Sequence, residues 1–218
     1  MAPIAIDTTY RMEGDALLAL PIDWGSDALK LLEDDENGDQ CVVKPIPLGA
    51  LVGVVDGIGH GKAAAAAAEG AIGILGAHAS QPLVSLLNLC HEKLQGTRGV
   101  VMALASFNAK ENTVTWIGIG NVQAVLHRAD RTAVPLHEHM VMSGGVVGDR
   151  LPLLRAATVR IAPGDTLVIA TDGISDTFAD VPALMGSPGG VAHKILSRHA
   201  KKSDDALVLV ARYKGAGS

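Results

Sequence analysis

Five carboxylates, Asp39, Asp56, Asp172, Asp204 and Asp205, stand where an apolar run meets a turn. Residues 51–55 (LVGVV) read as a buried strand that ends at Asp56, and the turn Gly57-Ile58-Gly59-His60-Gly61 follows it. A buried strand should not end in an unpaired charge, and a cation is one candidate partner. Asp39, after Asn37-Gly38, opens the strand pattern 40–43. If that strand and the one ending at Asp56 form a hairpin through Pro45-Ile46-Pro47-Leu48-Gly49, the two acids fall at the same sheet edge. The run 166–171 leads into Asp172-Gly173, and Asp204-Asp205 opens the last strand, 206–211. A second out-and-back pair would bring Asp172 and Asp204 together. One or two divalent cations are the simplest way to hold so many acids at one end of a β-core.

Each acid also has an ordinary reading. Asp-Gly is a common turn pair. Asp39 lies near the acidic run Glu33-Asp34-Asp35-Glu36, which reads as a solvated surface, and Asp204 and Asp205 could cap a strand or pair with Lys201 and Lys202. The ordinary reading weakens because all the positions follow one rule.

In order and spacing, Gly38-Asp39, Asp56-Gly57-Ile58-Gly59-His60-Gly61, Gly120-Asn121, Thr171-Asp172-Gly173 and Asp204-Asp205 resemble the protein phosphatase 2C superfamily. More narrowly they resemble its bacterial SpoIIE branch and the small stand-alone members of RsbX type. Gly96-Thr97-Arg98-Gly99 is similar to an Arg-Gly region of that branch.

The resemblance implies a metal-dependent phosphoserine/phosphothreonine protein phosphatase. Asp56 would bridge two Mn²⁺ or Mg²⁺ ions, with the Gly57 carbonyl as a further ligand. Asp172 and Asp204 would complete one metal, Asp39 would hold or orient the other, and Asp205 ranks below Asp204. By the same resemblance, water held between such ions would become hydroxide-like and would attack phosphorus in line, with no phospho-enzyme required. Asp56 and Asp172 are the residues on which turnover should depend. The implied setting is a cytoplasmic, stressosome-type partner-switching pathway, with phosphorylated STAS-domain proteins (RsbS/RsbR-like) or related anti-anti-sigma factors as substrates.

Departures are visible too. Ile58 occupies the place where eukaryotic relatives carry a His. His60, two positions on, could reach a phosphate or be a solvated turn residue. Arg11 and Arg98 are possible phosphate clamps. The rival from another class is a non-catalytic phosphoprotein-binding module with a phosphatase fold, and a third reading is a hydrolase of small phosphoesters.

The elements that must position these acids follow from composition and pattern. The 218 residues can bury one full core, so a single domain, 1–218, is expected. Apolar residues make up 48% of the chain, yet Asp56 and Glu69 interrupt the longest runs, so no membrane span is expected. The N-terminus does not look like a signal peptide. Cys41 and Cys90 form no disulfide framework, which suits a reducing compartment, and a net charge of −5 without a basic cluster argues against nucleic acid. Lys62-Ala63 departs from a Walker A ending, and the glycine spacing fails the dinucleotide fingerprint.

Aromatics are only 3% of residues, so Ala, Val, Leu, Ile and Gly must build the core. Helices are expected over 63–78, from Pro82 to Gly96, and after Ser187-Pro188. Gly70, Gly73 and Gly76 each cost the first helix roughly 1 kcal/mol relative to Ala, with close backbone approach as the expected offset. Cys90 reads as core, and His91, His193 and His199 as surface or packing residues. Strands are expected over 99–107, 113–119, 122–128 and 156–161. Residues 143–149 form a loop that could border the site. His137 and His139, just before it, suggest a metal pair without settling one. Residues 1–36 are the least assignable: 4–10 suggests an edge strand and 27–36 a helix fragment or loop. Together these elements make an α+β, four-layer α-β-β-α sandwich of two antiparallel sheets flanked by helices.

Overall fold

The computed structural model describes residues 20–30, 36–180, 184–201 and 203–216. The elements run β1 (Ile22–Leu29), β2 (Asp39–Ile46), β3 (Gly49–Gly57), α1 (Lys62–Ala77), α2 (Leu83–Lys93), β4 (Val100–Asn108), β5 (Thr113–Ile119), β6 (Gln123–His127) and β7 (His137–His139). They continue with β8 (Met142–Ser143), β9 (Ala157–Arg160), β10 (Thr166–Ala170), a 3₁₀ turn (Asp176–Asp180), α3 (Pro188–His199) and β11 (Ala206–Tyr213). One sheet has the order β1-β11-β10-β6-β7; the other has β2-β3-β4-β5-β8, with β9 also on β5. Every pairing is antiparallel except the two-residue contact of β8 with β5.

The core divides as strand alternation requires. On β3, Val52 and Val54 face the space between the sheets, where they meet Ala103, Phe107, Leu167, Ile169 and Leu209. Leu51 and Val55 face the other way, onto Ala68, Ala71, Leu75, Leu86 and Cys90 of α1 and α2. β3 is buried on both faces, which is why its sequence is an unbroken apolar run rather than an alternation. On the far side, Val168 and Val210 pack under Val191 and Ile195 of α3. Ser187 caps α3 by accepting from the Gly190 backbone N–H. The layers are therefore helix, sheet, sheet, helix.

Three expectations change. The α1 glycines do not mediate close backbone approach: Gly73 has nothing within 4 Å of where a Cβ would lie, while Gly70 and Gly76 meet only the ends of Leu94 and Lys44. The alanines and Leu75 carry the α1 contact instead. Close approach occurs at Gly25 of β1, where a Cβ would collide with the Gly189 backbone at the start of α3. Residues 27–29 belong to strand β1, not to a helix fragment; residues 31–35 of that segment and the suggested strand 4–10 lie outside the described residues. The β2–β3 hairpin is tighter than expected, because β2 runs through Pro45 to Ile46 and leaves Pro47 and Leu48 as the turn. Pro45 is tolerated because β2 is an edge strand.

Candidate active site

Asp39 and Asp56 are direct register partners across β2 and β3. The hairpin thus places two carboxylates side by side at one end of the inner layers. Asp39 is only 6% exposed. Its Oδ2 accepts a 2.7 Å hydrogen bond from Thr171 Oγ1, and Thr171 in turn accepts from the Leu207 backbone N–H at 2.9 Å. Thr171 follows β10 directly, so this hydroxyl ties the acid of one sheet to the strand ends of the other.

The second sheet brings its acids in beyond its strand ends. Asp172 follows Thr171; Asp204 and Asp205 precede β11, the neighbour of β10. Asn121 Nδ2 donates to Asp172 Oδ2 at 2.6 Å. Lys201 Nζ donates to the Asp172 carbonyl at 2.7 Å. Asp205 Oδ2 lies 3.4 Å from the Gly38 backbone N, a second link across the sheets. A Cβ at Gly173 would collide with the Asp205 backbone, so glycine is required where these two segments cross.

The electrostatics follow from this crowding. Burial, together with the charges of Asp205, Asp172 and Asp204, outweighs the Thr171 hydrogen bond and raises the Asp39 pKa to about 7. Burial and the neighbouring acids, Asp39 foremost, push Asp56 up to about 8. Asp172 is raised by burial and by Asp204, with Lys201 acting against them. An all-oxygen cluster whose ionised form is penalised by mutual repulsion suits a hard divalent cation such as Mg²⁺ or Mn²⁺. Among the described residues no group of three His, Cys, Asp or Glu side chains is already arranged as a metal site. The five acids therefore form a cluster rather than a finished cage.

The glycine-rich turn lies against α1. A Cβ at Gly57 would strike the Ala64 backbone, so the strand end and the helix start can meet only through glycine. Above the turn, the Arg98 guanidinium lies where a Gly59 side chain would project. The Arg98 backbone is held on both sides: Thr97 Oγ1 donates to the Leu94 carbonyl and accepts from the Gly99 N–H, while the Gly99 carbonyl accepts from the Ile58 N–H. His60 is exposed on the same turn. The 143–149 loop reaches this corner, since Val147 and Val100 exchange backbone hydrogen bonds next to Gly99.

The five acids singled out from the sequence thus lie on neighbouring strand ends of the two sheets, with Gly57 beside Asp56. Arg11 lies outside the described residues. Two contributors were given no role by sequence reasoning, Thr171 and Asn121, and Lys201, offered as a partner of Asp204 and Asp205, instead donates to the Asp172 carbonyl. Thr171 and Asn121 sit inside the quoted motifs, but only the cross-sheet register reveals what they touch. His91 accepts from the Gly148 N–H, His193 pairs with Asp27 and His199 contacts Thr177, which makes all three packing or surface residues.

Two facing sheets with helices on the outer faces make a fold of the protein phosphatase 2C type, with the acids gathered at one end. The model of stage II sporulation protein E (SpoIIE) matches residues 49–214, and the chain belongs to that family. By class it is a serine/threonine protein phosphatase, a hydrolase. It is 23% identical over 139 residues to the phosphoserine phosphatase RsbX of Bacillus subtilis (strain 168), covering 63% of this chain and 67% of that protein. A solved structure from work on the bacterial stressosome as a modular system adapted to control secondary messenger signalling has TM-score 0.77 and 28% identity. It covers 88% of this chain and 99% of that one. RsbX in complex with magnesium has TM-score 0.74 at 19% identity, over 88% and 94% of the two chains, and shares the fold.

Proposed function

We propose that this chain, acting as one domain in the cytoplasm, is a divalent-cation-dependent phosphatase of phosphoserine or phosphothreonine in a bacterial partner-switching pathway. Its substrates are phosphorylated STAS-domain proteins or related anti-anti-sigma factors. The observation that carries the reading is the Asp39–Asp56 register pair, joined through Thr171 to the strand ends bearing Asp172, Asp204 and Asp205. The likeness to RsbX and to the stressosome structure supports the choice of pathway.

Asp39 and Asp56, set within strands, supply the fixed carboxylates for Mg²⁺ or Mn²⁺, and the Gly57 carbonyl adds a neutral oxygen. Asp172, held by Asn121, and Asp204, ahead of Asp205, would close the cluster from the more exposed side. Cations held there, two by the family resemblance, would supply Lewis-acid stabilisation of phosphoryl charge and acidify water. Arg98 presents a guanidinium beside the glycine-rich turn, suited to a phosphoryl group, and His60 lies within the same exposed corner. Arg98→Ala should raise KM about tenfold, the scale of one charge-assisted hydrogen bond, with a smaller change in kcat.

The test is phosphate release from a phosphoserine-bearing STAS-domain protein by chelator-treated enzyme, with and without Mn²⁺, beside Asp56→Ala. Release only with metal and only by the unaltered chain is expected. Metal-independent release would end the metal reading, stable binding without release would point to a scaffold, and faster turnover of small phosphoesters would move the substrate class.

A further inference from the structure

At the end of the sandwich away from the acids, two imidazoles face one another. His127 closes β6 and His137 opens β7, and the two are direct register partners. The adjacent Arg128 N–H donates to the Leu136 carbonyl, so the His127–His137 pair occupies a non-hydrogen-bonded position, where opposed side chains come closest. Their ring centroids lie 4.5 Å apart, edge to face. His127 is 6% exposed. Its Nε2 and the His137 Nδ1 are both buried without a hydrogen-bond partner, the two such side-chain atoms among the described residues. Buried polar atoms are almost always partnered, and leaving one unpartnered costs about 1–3 kcal/mol.

Both rings line a cavity of about 140 Å³ together with Arg128, Arg131 and Arg212. Two of those arginines are already committed to partners within the chain. Arg128 is paired with Asp165 and Glu138. Arg212 donates to Thr166 Oγ1 and to the Leu184 and Gly186 carbonyls. Arg131 is exposed at the rim. The unsatisfied groups are therefore the imidazole nitrogens. Burial and the neighbouring His137 and His139 hold the His127 pKa down to about 4, so its ring is neutral at physiological pH, the form that ligates metals.

We propose that His127 Nε2 and His137 Nδ1 form a binding site for a borderline divalent transition-metal ion of the Zn²⁺ class, distinct from the acidic cluster. Imidazole suits Zn²⁺, Cu²⁺ and Ni²⁺ and suits Mg²⁺ poorly, so the two sites sort cations by ligand chemistry. With two protein ligands the site leaves further positions to water, binds weakly and releases its ion to chelators. Occupied, it clamps the short edge strand β7 to β6.

The probe is one equivalent of Cu²⁺ added to the full, untagged, chelator-stripped chain in excess Mg²⁺, read by electron paramagnetic resonance. Coupling to two imidazole nitrogens is expected, falling to one or none in either His127→Gln or His137→Gln and unchanged in Asp56→Asn. In parallel, Zn²⁺ should raise the melting temperature of the unaltered chain and not of His137→Gln, whose half-buried position makes misfolding a lesser concern. A spectrum without nitrogen coupling, or one that neither histidine substitution alters, would overturn the proposal.

Discussion

The two sheets contribute to the acid cluster in opposite ways. One supplies Asp39 and Asp56 from within paired strands, where the backbone ladder fixes both and burial raises both pKa values. The other supplies Asp172, Asp204 and Asp205 from loops beyond β10 and β11, more open to solvent and steered by side chains such as Asn121. The strand half sets position at an electrostatic cost to the fold, while the loop half is free to adjust around whatever binds. Function here rests on a local conflict with stability, strongest in one sheet.

The sharpest way to test that contrast is to remove one acid from each half. Asp56→Asn should lower kcat by at least about a hundredfold, the scale of losing a preorganised electrostatic group. It should also raise the melting temperature of the metal-free protein, because it removes buried repulsion. Asp204→Asn should impair turnover with little change in metal-free stability. Equal stability effects from the two would break the comparison.

Acid titration gives the next largest signal. With carboxyl pKa values of about 7 and about 8 in the fold against an ordinary 3.8, Asp39 and Asp56 hold more protons folded than unfolded between those limits. Stability of the metal-free chain should therefore fall as pH rises from about 4 to about 8. The contribution is fully present below the unfolded value and lost through the folded ones. Denaturant midpoints across this range should decline without Mg²⁺ and flatten with it, since a bound cation favours the ionised acids.

Thr171→Val probes the link between the halves. The substitution keeps the shape but removes the hydroxyl that donates to Asp39 and accepts from the Leu207 N–H. Leaving such buried groups unmatched should cost about 1–3 kcal/mol, measurable by chemical denaturation, with some loss of turnover as Asp39 loses its orientation. Unchanged stability would mean the sheets are held in register by apolar packing alone.

What could be read from the sequence follows the same division. The Asp39–Asp56 pairing was legible because a short hairpin leaves almost no choice of register, and an apolar run that stops at an acid is conspicuous. The roles of Thr171 and Asn121 were not, because each depends on which strand lies across a gap between sheets. β1 was missed because its residues are half-buried without clean alternation and Gly25 interrupts it. That glycine reads as a break until α3 is seen resting on it. The His127–His137 pair was hidden for a similar reason: the adjacent His137 and His139 drew attention, but the partner comes from the neighbouring strand.

The smallest expected effect separates glycines that position the site from one that does not. Gly57 must be glycine, since any Cβ would strike Ala64 where α1 meets the strand carrying Asp56. Gly73, three turns into the same helix, is exposed, has no positive φ and faces open space. Gly73→Ala therefore removes backbone freedom from the unfolded chain without touching a neighbour, and should stabilise the protein by about 0.5–1 kcal/mol with turnover unchanged. Thermal and denaturant unfolding beside a phosphatase assay would check it. A destabilised variant would mean that α1 needs its glycines for a contact outside the described residues, and the distinction between Gly57 and Gly73 would fall.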